Sequence, residues 1–539
     1  MCAAMDPALA KEVSMLARRR DVDAAAAAGD SPVQQFYRGA VVFLTGGSGF
    51  VGKHLVEKLL RTCDVERVYL LMRGKKGHSA QERLARIFQD PVYDTLHKCN
   101  PDFPKRVVAV EGDITKIRLG ISDPDWKMLA DQVTVIFHVA ATTTFDEPLR
   151  VATLTNVRGT TQTLLLGKDC KNIKSFVHVS TAYSHATYGR ISKEVREEFY
   201  DSPAHPDTII DLVQQLSEEK LAAIKPQLVA DWPNTYAFTK ALAEEAVRTT
   251  AGDLPICIVR PAIVIGSLLE PSPGWVDMSS AYGPSGLVIG CGLGFVHTFM
   301  ANDDSNLDLI PVDFVNNATI AAGWETAERR AQGDTAVKIY AVAPARNPIN
   351  WRELLATLYS EGRKITTPRA IWYNCSCHTK YRALFVLLTW LLHFIPGYLA
   401  DGALLLLGKK PKAVKLYRTA YNLSSVLAFY TCNEFNFDDV NLQSLQNNLS
   451  EVDRKIYNFD VTKMSWTDML VVWAIGLRKY IVKDGLKDTE YAVRKQSVFK
   501  ILNYILLALY VYAWYKLCTY AVWFVLTSSK SVPQECQQE

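Results

Sequence analysis

The sequence predicts an α/β chain with a doubly wound parallel sheet, followed by a helical domain and a C-terminal membrane segment. Three observations predict this order. Short, unbroken apolar runs alternate with helical stretches from about residue 40 to about residue 350. Helix-forming sequence continues to about residue 497, and one long apolar run follows at residues 501–526. Strands that are apolar on both faces belong to a parallel sheet covered by helices on both sides.

Length and composition limit the kind of protein. A chain of 539 residues exceeds the usual size of a single core, so at least two domains are expected. The 60 basic and 56 acidic side chains nearly cancel, and nothing in this balance indicates a nucleic-acid partner. The 11 cysteines are irregularly spaced and odd in number, which favours reduced thiols in a protein facing the cytosol. No second Cys/His cluster accompanies "CSCH" at residues 375–378, so no metal site is predicted.

The domain boundaries follow from changes in composition. Residues 1–38 contain "RRRDVDAAAAAGDSP" without a continuous apolar run, so they are predicted to be a disordered leader and not a secretory signal. Residues 39–352 form the predicted sheet domain and residues 353–497 the helical domain. Residues 498–527 are predicted to be a membrane anchor, and residues 528–539 a tail.

Six apolar runs are the predicted strands of the sheet. The first, in "AVVFLTGGSGFVGKHLVEKLLR", leads through a glycine turn into an amphipathic helix, which is the start of a βαβ unit. The others lie at residues 67–72, 106–113, 133–141, 175–184 and 256–266.

The glycine turn predicts a dinucleotide site. Gly46, Gly49 and Gly52 follow a strand and open a helix, where a tight turn lets a pyrophosphate approach the free amides of the helix N-terminus. This is a Rossmann-type arrangement. The predicted contacts of the turn are Gly46, Gly47, Ser48, Gly49, Phe50, Val51 and Gly52.

The end of the second strand indicates which dinucleotide binds. An NAD site has an acidic residue there, whereas this chain has Arg73, with Lys75 and Lys76 close behind. These cations favour the 2′-phosphate of NADP, the alternative being ordinary loop charges. Asp113 is predicted to meet the adenine amino group, and Ala140, in "HVAA", to line the ribose on the nicotinamide side. Ile114 and Pro261 complete the candidate cofactor contacts.

The predicted reacting groups lie on a helix and at a strand end. In "NTYAFTKALAEE", residues 234–245, Tyr236 and Lys240 share one helical face, and the ammonium is expected to lower the pKa of the phenol and make it a proton donor. The alternative is a solvated face. "FVHVSTAYS" places Ser180 and Thr181 at a strand end, where a hydroxyl can bind a substrate carbonyl.

Longer strings resemble a known family. "NTYAFTKALAEE", "FHVAATTTFDEPLR", "IVRPAIVIGSLLEPSPGWVD", "GPSGLVIG" and "IPVDFVNN" resemble the alcohol-forming fatty acyl-CoA reductases, which are extended short-chain dehydrogenase/reductases with a C-terminal male-sterility-type domain. The resemblance covers about residues 40–500. It implies Tyr236 as proton donor, Lys240 as its partner, and Thr181, with Ser180 beside it, as the hydroxyl that orients the carbonyl.

The resemblance also implies an activity. NADPH would reduce a long-chain or very-long-chain fatty acyl-CoA to the primary alcohol, by two hydride transfers through an aldehyde with release of CoA. Two alternatives remain: a membrane-anchored oxidoreductase similar to 3β-hydroxysteroid dehydrogenase, and a non-catalytic NADP-binding lipid scaffold. Arg73 argues against the first and the presence of Tyr236 with Lys240 against the second. The 54 residues between Thr181 and Tyr236 either wall an acyl pocket or decorate the surface.

Two apolar segments indicate membrane contact. Residues 383–410 are interrupted by Pro396 and Gly397, which favours a buried or membrane-surface helical hairpin over a crossing. Residues 501–526 are long enough to anchor the chain, despite Lys516. Seven basic residues precede this segment from residue 478, against only Lys530 after it, so the catalytic part is expected to face the cytosol. The resemblance implies a peroxisomal or endoplasmic reticulum membrane, and leaves acyl chain length and oligomeric state open.

Overall fold

The computed structural model describes residues 5–74, 77–279 and 283–528. Lys75 and Lys76, and the tail from residue 529 onward, lie outside the described residues. The strands in chain order are β1 Val41–Thr45, β2 Arg67–Met72, β3 Val107–Glu111, β4 Val135–His138, β5 Ser175–Val179, β6 Glu194–Val195, β7 Ile256–Pro261, β8 Ile263–Ile265, β9 Thr298–Met300, β10 Leu309–Pro311, β11 Lys338–Val342, β12 Cys377–Thr379 and β13 Asn436–Phe437.

The helices lie on both faces of the sheet and then form the C-terminal region. They are α1 Pro7–Ala28, α2 Pro32–Tyr37, α3 Phe50–Thr62, α4 Ala80–Ile87, α5 Asp94–Cys99, α6 Asp123–Gln132, α7 Leu149–Ala152, α8 Gly159–Asp169, α9 Pro206–Gln215, α10 Glu218–Leu228, α11 Thr235–Thr250, α12 Pro284–Gly292, α13 Val312–Ala331, α14 Trp351–Ser360, α15 Arg382–Thr389, α16 Ile395–Leu406, α17 Ala413–Cys432, α18 Val440–Asn448, α19 Glu451–Ile456, α20 Trp466–Gly476 and α21 Thr489–Ser528.

The predicted parallel sheet is confirmed. Seven strands lie in the order β11-β7-β5-β4-β1-β2-β3, and all neighbours run parallel. Strand order reverses between β1 and β4, where Thr45 pairs with His138. Open α/β sheets bind ligands at this switch point, beyond the carboxyl ends of the strands. Both the glycine turn after β1 and Ala140 after β4 therefore lie at the position where a ligand is expected.

Within the predicted leader, the described residues 5–38 differ from the prediction of disorder. They form α1 and α2, and α1 is bound to the C-terminal region through charged side chains. Lys11 Nζ lies 2.9 Å from Asp468 Oδ1, and Lys479 Nζ lies 2.5 Å from Glu12 Oε1. Met15 is buried in the main core. An Ala-rich, charged stretch has little apolar surface of its own, but it folds here because its partners are supplied by residues more than 400 positions away.

Two helical stretches are long and apolar enough to cross a membrane by length and composition: Arg382–Leu406 and Thr489–Phe524. The first differs from the expected interruption at Pro396, because a π-helical turn at Trp390–Phe394 joins α15 to α16 without a break. Pro396 is the second residue of α16, near the start, where a missing amide hydrogen costs least. The second stretch lies within α21, and none of the residues in its most apolar 18-residue window is buried in the protein.

Candidate active site

The glycine turn forms a cradle that fits a pyrophosphate. Gly46 has a φ of 81°, and a Cβ at this position would lie 2.6 Å from the Ala140 amide nitrogen. A Cβ at Gly52 would lie 2.2 Å from Gly46 O. Gly49 is the N-cap of α3 and offers no side-chain cap, so the first-turn amides of Phe50, Val51 and Gly52 have no side-chain acceptor at this cap. These amides, with the positive end of the helix dipole, suit the phosphates of a dinucleotide.

A salt-bridge pair on α3 holds a loop beside this cradle, and sequence reasoning missed it. Lys53 Nζ lies 2.7 Å from Asp90 Oδ2 and 2.5 Å from Asp277 Oδ2. The ring of Trp275, in the same loop, lies 5.3 Å from the ring of Phe50. The only sequence signal was the string "EPSPGWVD", which contains the acidic partner.

The adenine end of the predicted site carries opposite charges. Arg73 follows β2 and is exposed, and Asp113 follows β3. Burial acts to raise the pKa of Asp113, but hydrogen bonds from the Thr115 amide and hydroxyl, with the charges of Arg73 and Lys116, bring it below its usual value. Ile114 packs against Gly159, where a Cβ would lie 2.7 Å from Ile114 Cγ1. A cation is therefore available at the end of β2, next to an ionised carboxylate.

Thr181 and Tyr236 are brought together at the carboxyl edge of the sheet. Tyr236 lies in the first turn of α11, whose N-cap Asn234 accepts a hydrogen bond of 2.9 Å from the Ala237 amide. Burial raises the pKa of Tyr236 to about 12, and a side-chain hydrogen bond with Thr181 lowers it in part. The Thr181 hydroxyl also donates to Pro261 O, at 3.3 Å. The two hydroxyls thus converge, and a substrate oxygen can accept from both when Thr181 turns its one hydrogen away from Pro261 O.

Lys240 lies one turn further along α11 and is buried. Its ammonium donates to Val179 O, the last residue of β5, at 2.7 Å. Burial lowers the pKa of Lys240 to about 8, and the charge of Glu244 opposes that shift. The predicted lowering of the Tyr236 pKa by Lys240 is not found, because the ammonium lies against the strand end and burial dominates at the phenol.

Ser180 is placed differently from its predicted role. Its hydroxyl donates to Glu244 Oε1 at 2.5 Å, on the side of α11 that carries the buried carboxylate. Glu244 also accepts from Ser184, at 2.8 Å, and from Arg260 Nη2, at 2.6 Å. Burial acts to raise the pKa of Glu244, but the Arg260 charge and its hydrogen bonds hold it well below the usual value. Ser180 therefore positions the strand end and leaves the reacting face to Thr181.

Asn156 holds the segment after β4 against α11. Its Oδ1 accepts from the Thr142 amide at 2.9 Å, and its Nδ2 donates to Thr239 Oγ1 at the same distance. Asn156 lies in the π-helical turn Thr153–Arg158, which interrupts the helix between α7 and α8. Such turns are frequent at functional sites. Nothing in the sequence around Asn156 indicated this contact.

An aromatic wall beside Tyr236 comes partly from the C-terminal region. The ring of Phe145 lies 5.9 Å from the ring of Tyr236 and 5.2 Å from that of Tyr430, near the end of α17. Asn234 Nδ2 donates to Tyr430 OH at 2.7 Å. Tyr183 packs edge-on against Tyr430 at 4.8 Å. Both parts of the chain therefore contribute side chains to the wall beside Tyr236.

The long segment between Thr181 and Tyr236 supports α11 from behind. Its helices α9 and α10 share an apolar cluster with Phe238 and Leu242 of α11. Phe238 is two residues from Tyr236, which is about 200° around the helix at about 100° per residue. Helices α9 and α10 therefore cover the face directed away from the reacting group, which favours the surface alternative over an acyl-pocket wall for this part of the segment.

Family models match two parts of the chain, and curated proteins match nearly all of it. Two family models, both described as male sterility protein, match residues 44–319 and residues 392–484. Fatty acyl-CoA reductase wat of Drosophila melanogaster is 35% identical over 498 residues, covering 92% of this chain and 94% of the fly protein. Fatty acyl-CoA reductase 1 of Homo sapiens is 33% identical over 474 residues, covering 88% of this chain and 90% of the human protein.

Solved structures share the fold at lower identity. The terminal R domain of the myxalamid PKS-NRPS biosynthetic pathway covers 84% of this chain and 92% of its own, with a TM-score of 0.55 and 20% identity. The reductase domain of a nonribosomal peptide synthetase from Mycobacterium tuberculosis covers 86% and 96%, also with a TM-score of 0.55 and 20% identity.

Identity of this level over almost the full length confirms the resemblance read from the sequence strings. The glycine cradle, the strand-end hydroxyl and the tyrosine helix all lie within the first matched segment. The protein belongs to the fatty acyl-CoA reductase family, and is an oxidoreductase with a site for a nicotinamide dinucleotide.

Proposed function

We propose that the protein reduces a long-chain or very-long-chain fatty acyl-CoA to the primary fatty alcohol, with NADPH as reductant and release of free CoA. The observation that carries this proposal is the convergence of the Thr181 and Tyr236 hydroxyls beside the glycine cradle. The relatives named fatty acyl-CoA reductases supply the substrate class.

The protein groups act on the carbonyl oxygen of the substrate. When bound, the reduced nicotinamide supplies hydride to the carbonyl carbon. Thr181 and Tyr236 donate hydrogen bonds to the carbonyl oxygen, and they stabilise the negative charge that develops there. With a pKa of about 12, Tyr236 stays protonated at neutral pH and can give its proton to that oxygen. Lys240 is buried beneath them and has a pKa of about 8, so it is charged at lower pH and then adds a positive charge to the site.

Two reductions occur in succession at this site. In the first, the tetrahedral thioester adduct collapses, the C–S bond breaks, and CoA leaves as the thiol while an aldehyde forms. In the second, the aldehyde oxygen takes the same place between Thr181 and Tyr236, and protonation yields the alcohol. Each acyl-CoA therefore consumes two NADPH. No cysteine is needed as a nucleophile, because the thioester is already activated.

Arg73 supports NADPH over NADH. It is an exposed cation at the end of β2, where the ribose 2′ position of a dinucleotide lies. Arginine suits a phosphate through paired hydrogen bonds. Asp113 accepts from the amide and the hydroxyl of Thr115, and no hydrogen bond joins it to Arg73 in the described part of the chain.

α21 supports attachment to a membrane with the catalytic part in the cytosol. Its apolar side chains are exposed from Ile501 onward, and the basic residues precede this run. Positive charges favour the cytosolic side of a membrane. A long-chain product belongs in lipid, since each buried methylene contributes about 0.8 kcal/mol to partitioning. The peroxisome or the endoplasmic reticulum is proposed as the location.

Purified protein in detergent, with NADPH and a series of acyl-CoA thioesters from palmitoyl to tetracosanoyl, tests the activity. Free CoA and fatty alcohol are expected in equal amounts, with two NADPH consumed for each. Tyr236→Phe should lower kcat by about 10²- to 10⁴-fold, because it removes the proton donor. NADPH binding, followed by its fluorescence, should persist in this variant as the control for folding. Unchanged turnover in Tyr236→Phe, or alcohol oxidation without CoA release by the wild type, would overturn the proposal.

A further inference from the structure

A two-helix finger projects from the C-terminal region. We define it as Arg382–Cys432. The outgoing helix is α15 with α16, which are continuous through the π-helical turn, and the returning helix is α17. Both of its ends are fixed at one strand: Thr379, before the finger, pairs with Met300, and Thr431, near its end, donates to Met300 O at 2.8 Å. The outgoing helix has 25 residues, so it reaches about 37 Å at 1.5 Å per residue. Because the finger begins and ends beside the same strand, it can enter a membrane from one side but must return to that side.

The finger is held together near its base and at its turn. Phe385 of α15 stacks on Tyr421 of α17 at 5.4 Å, and Gly397 lies close against Tyr417. Asp401 accepts from the amides of Lys412, Ala413 and Val414 at 2.8 to 3.0 Å, which caps the N-terminus of α17. The tip is therefore a defined structure, and the one acidic residue beside it is already bound.

The tip exposes apolar side chains directly before a run of cations. Leu405, Leu406 and Leu407 are exposed, and Leu406 reaches 91%. Five exposed basic residues follow within the next eleven positions: Lys409, Lys410, Lys412, Lys415 and Arg418. A groove on α17 adds Thr419 and Asn422 next to Lys415 and Arg418. Leucines that enter acyl chains, with lysines at the level of the phosphates, are the pattern of a surface that binds anionic lipid.

The finger lies beside α21. Tyr510 OH donates to Leu391 O of the finger at 2.9 Å. Nearer the body, Trp372 Nε1 donates to Asn503 Oδ1 of α21 at 2.8 Å. The two pairs place α21 against the body at Trp372 and alongside the finger at Leu391. A membrane that receives α21 is thus within reach of the finger.

We propose that the tip of the finger, residues 405–418, is a second membrane contact, which inserts its leucines into an anionic phospholipid bilayer and binds the phosphates with its lysines. It rests on the proposed membrane attachment of α21. The opposite end of α17 carries Tyr430, which accepts from Asn234 beside the reacting tyrosine. One helix, α17, therefore connects the lipid surface to the aromatic wall of the active site. It holds that wall at a fixed distance from the membrane.

Fluorescence quenching in lipid nanodiscs tests the contact on the full chain. An environment-sensitive fluorescent amino acid replaces Leu406, and the nanodiscs carry phosphatidylserine together with lipids spin-labelled on their acyl chains. Matched positions are Leu506 on α21, 53% exposed, and Ile117 in the sheet domain, 70% exposed. Quenching is expected at positions 406 and 506 and not at position 117. The triple variant Lys409→Gln, Lys410→Gln, Lys412→Gln should lower quenching at position 406 at least twofold, and leave position 506 unchanged.

The outcomes separate the finger from the anchor. Quenching at position 506 without quenching at position 406 overturns the finger contact and leaves the anchor standing. Quenching at neither position overturns both. Equal quenching in phosphatidylcholine and phosphatidylserine discs overturns the role of the cations. Cross-linking of the labelled tip to a second copy of the chain, in place of quenching by lipid, would make the tip a protein interface and contradict the proposal.

Discussion

At the scale of single residues, Glu244 is the group that governs the charge beneath the reacting tyrosine. It lies one helical turn after Lys240, buried and ionised between Arg260 and two serine hydroxyls. Burial pulls the pKa of Lys240 down to about 8, and the carboxylate acts against that pull. The charged lysine is thus present below about pH 8 and is lost as pH rises through this value.

Glu244→Gln should move the alkaline limb of the pH profile to lower pH. Without the carboxylate, the pKa of Lys240 falls further, so activity that needs the ammonium disappears earlier as pH rises. A shift of about one pH unit is expected in kcat/KM, which reports groups of the free enzyme. Glu245→Gln is the matched control, because Glu245 is also buried but pairs with the half-exposed Arg248. Identical alkaline limbs of the pH profile in Glu244→Gln and Glu245→Gln would show that Glu244 has only a structural role.

Arg73→Ser should change cofactor preference. A hydrogen bond to a charged group contributes about 1.5–3 kcal/mol, so kcat/KM for NADPH should fall about 10- to 100-fold while that for NADH stays within about twofold. The measurement is initial rate against each cofactor at saturating acyl-CoA. Arg118→Ser, an exposed arginine that stacks on Trp126, is the control. Equal losses with both cofactors would contradict a role for Arg73 in 2′-phosphate binding.

The sequence was informative for residues whose spacing itself has a physical meaning. Three glycines and the Tyr236/Lys240 pair are local patterns, and the structure places them at the predicted edges of the sheet. The positions of Ser180 and Tyr430 in the site could not be predicted, because they depend on partners far along the chain. No local signal shows that Glu244 lies opposite Ser180, or that Tyr430 reaches Asn234 across 196 positions.

At the scale of elements, α1 shows how a helix with weak local signals becomes part of the core. Met15 has 1% exposure, whereas Leu9 on the same helix has 38%. Met15→Ala should lower the free energy of unfolding by about 2–5 kcal/mol, through loss of buried contacts and an incompletely filled cavity. Leu9→Ala should change it by only about 0.5 kcal/mol. Thermal unfolding of both variants in the same detergent measures the difference, and equal destabilisation would mean that α1 is not packed as described.

Strand β11 and helix α1 were missed for the same reason. β11 is a five-residue strand that begins with half-buried Lys338, and it joins the sheet only by pairing with β7. α1 joins the body through ion pairs to residues beyond position 450. The periodicity of apolar residues reports the structure that a segment favours by itself. Elements that are stabilised mainly by distant partners therefore show no clear helix or strand pattern in the sequence.

At the scale of the whole molecule, α21 separates cleanly into a packed and an exposed part. Phe499 stacks on Trp372 at 5.5 Å, and Asn503 binds the same tryptophan, whereas most side chains beyond residue 503 are exposed. A membrane-spanning helix needs about 20 apolar residues. Residues 501–507 alone cannot supply them.

A chain that ends after Leu507 should therefore fold but no longer resist extraction from membranes. It keeps both contacts to Trp372, and it loses the apolar run that follows. Alkaline carbonate extraction should leave the full chain in the membrane fraction and release the shortened chain, and CoA release from palmitoyl-CoA should persist in detergent. Retention of the shortened chain after carbonate treatment would show that α21 is not the main anchor.

The contact between Asp6 and Thr489 has a consequence for biosynthesis. Asp6 accepts from the amide and the hydroxyl of Thr489, at 2.9 and 2.7 Å, so the first helix completes its binding site only when residue 489 has been made. At about 5–20 residues per second, the 483 positions from Asp6 to Thr489 take roughly 25 to 100 s to synthesise. During this interval the nascent N-terminal helix has no partner there. This contact therefore cannot form until most of the chain between Asp6 and Thr489 has been synthesised.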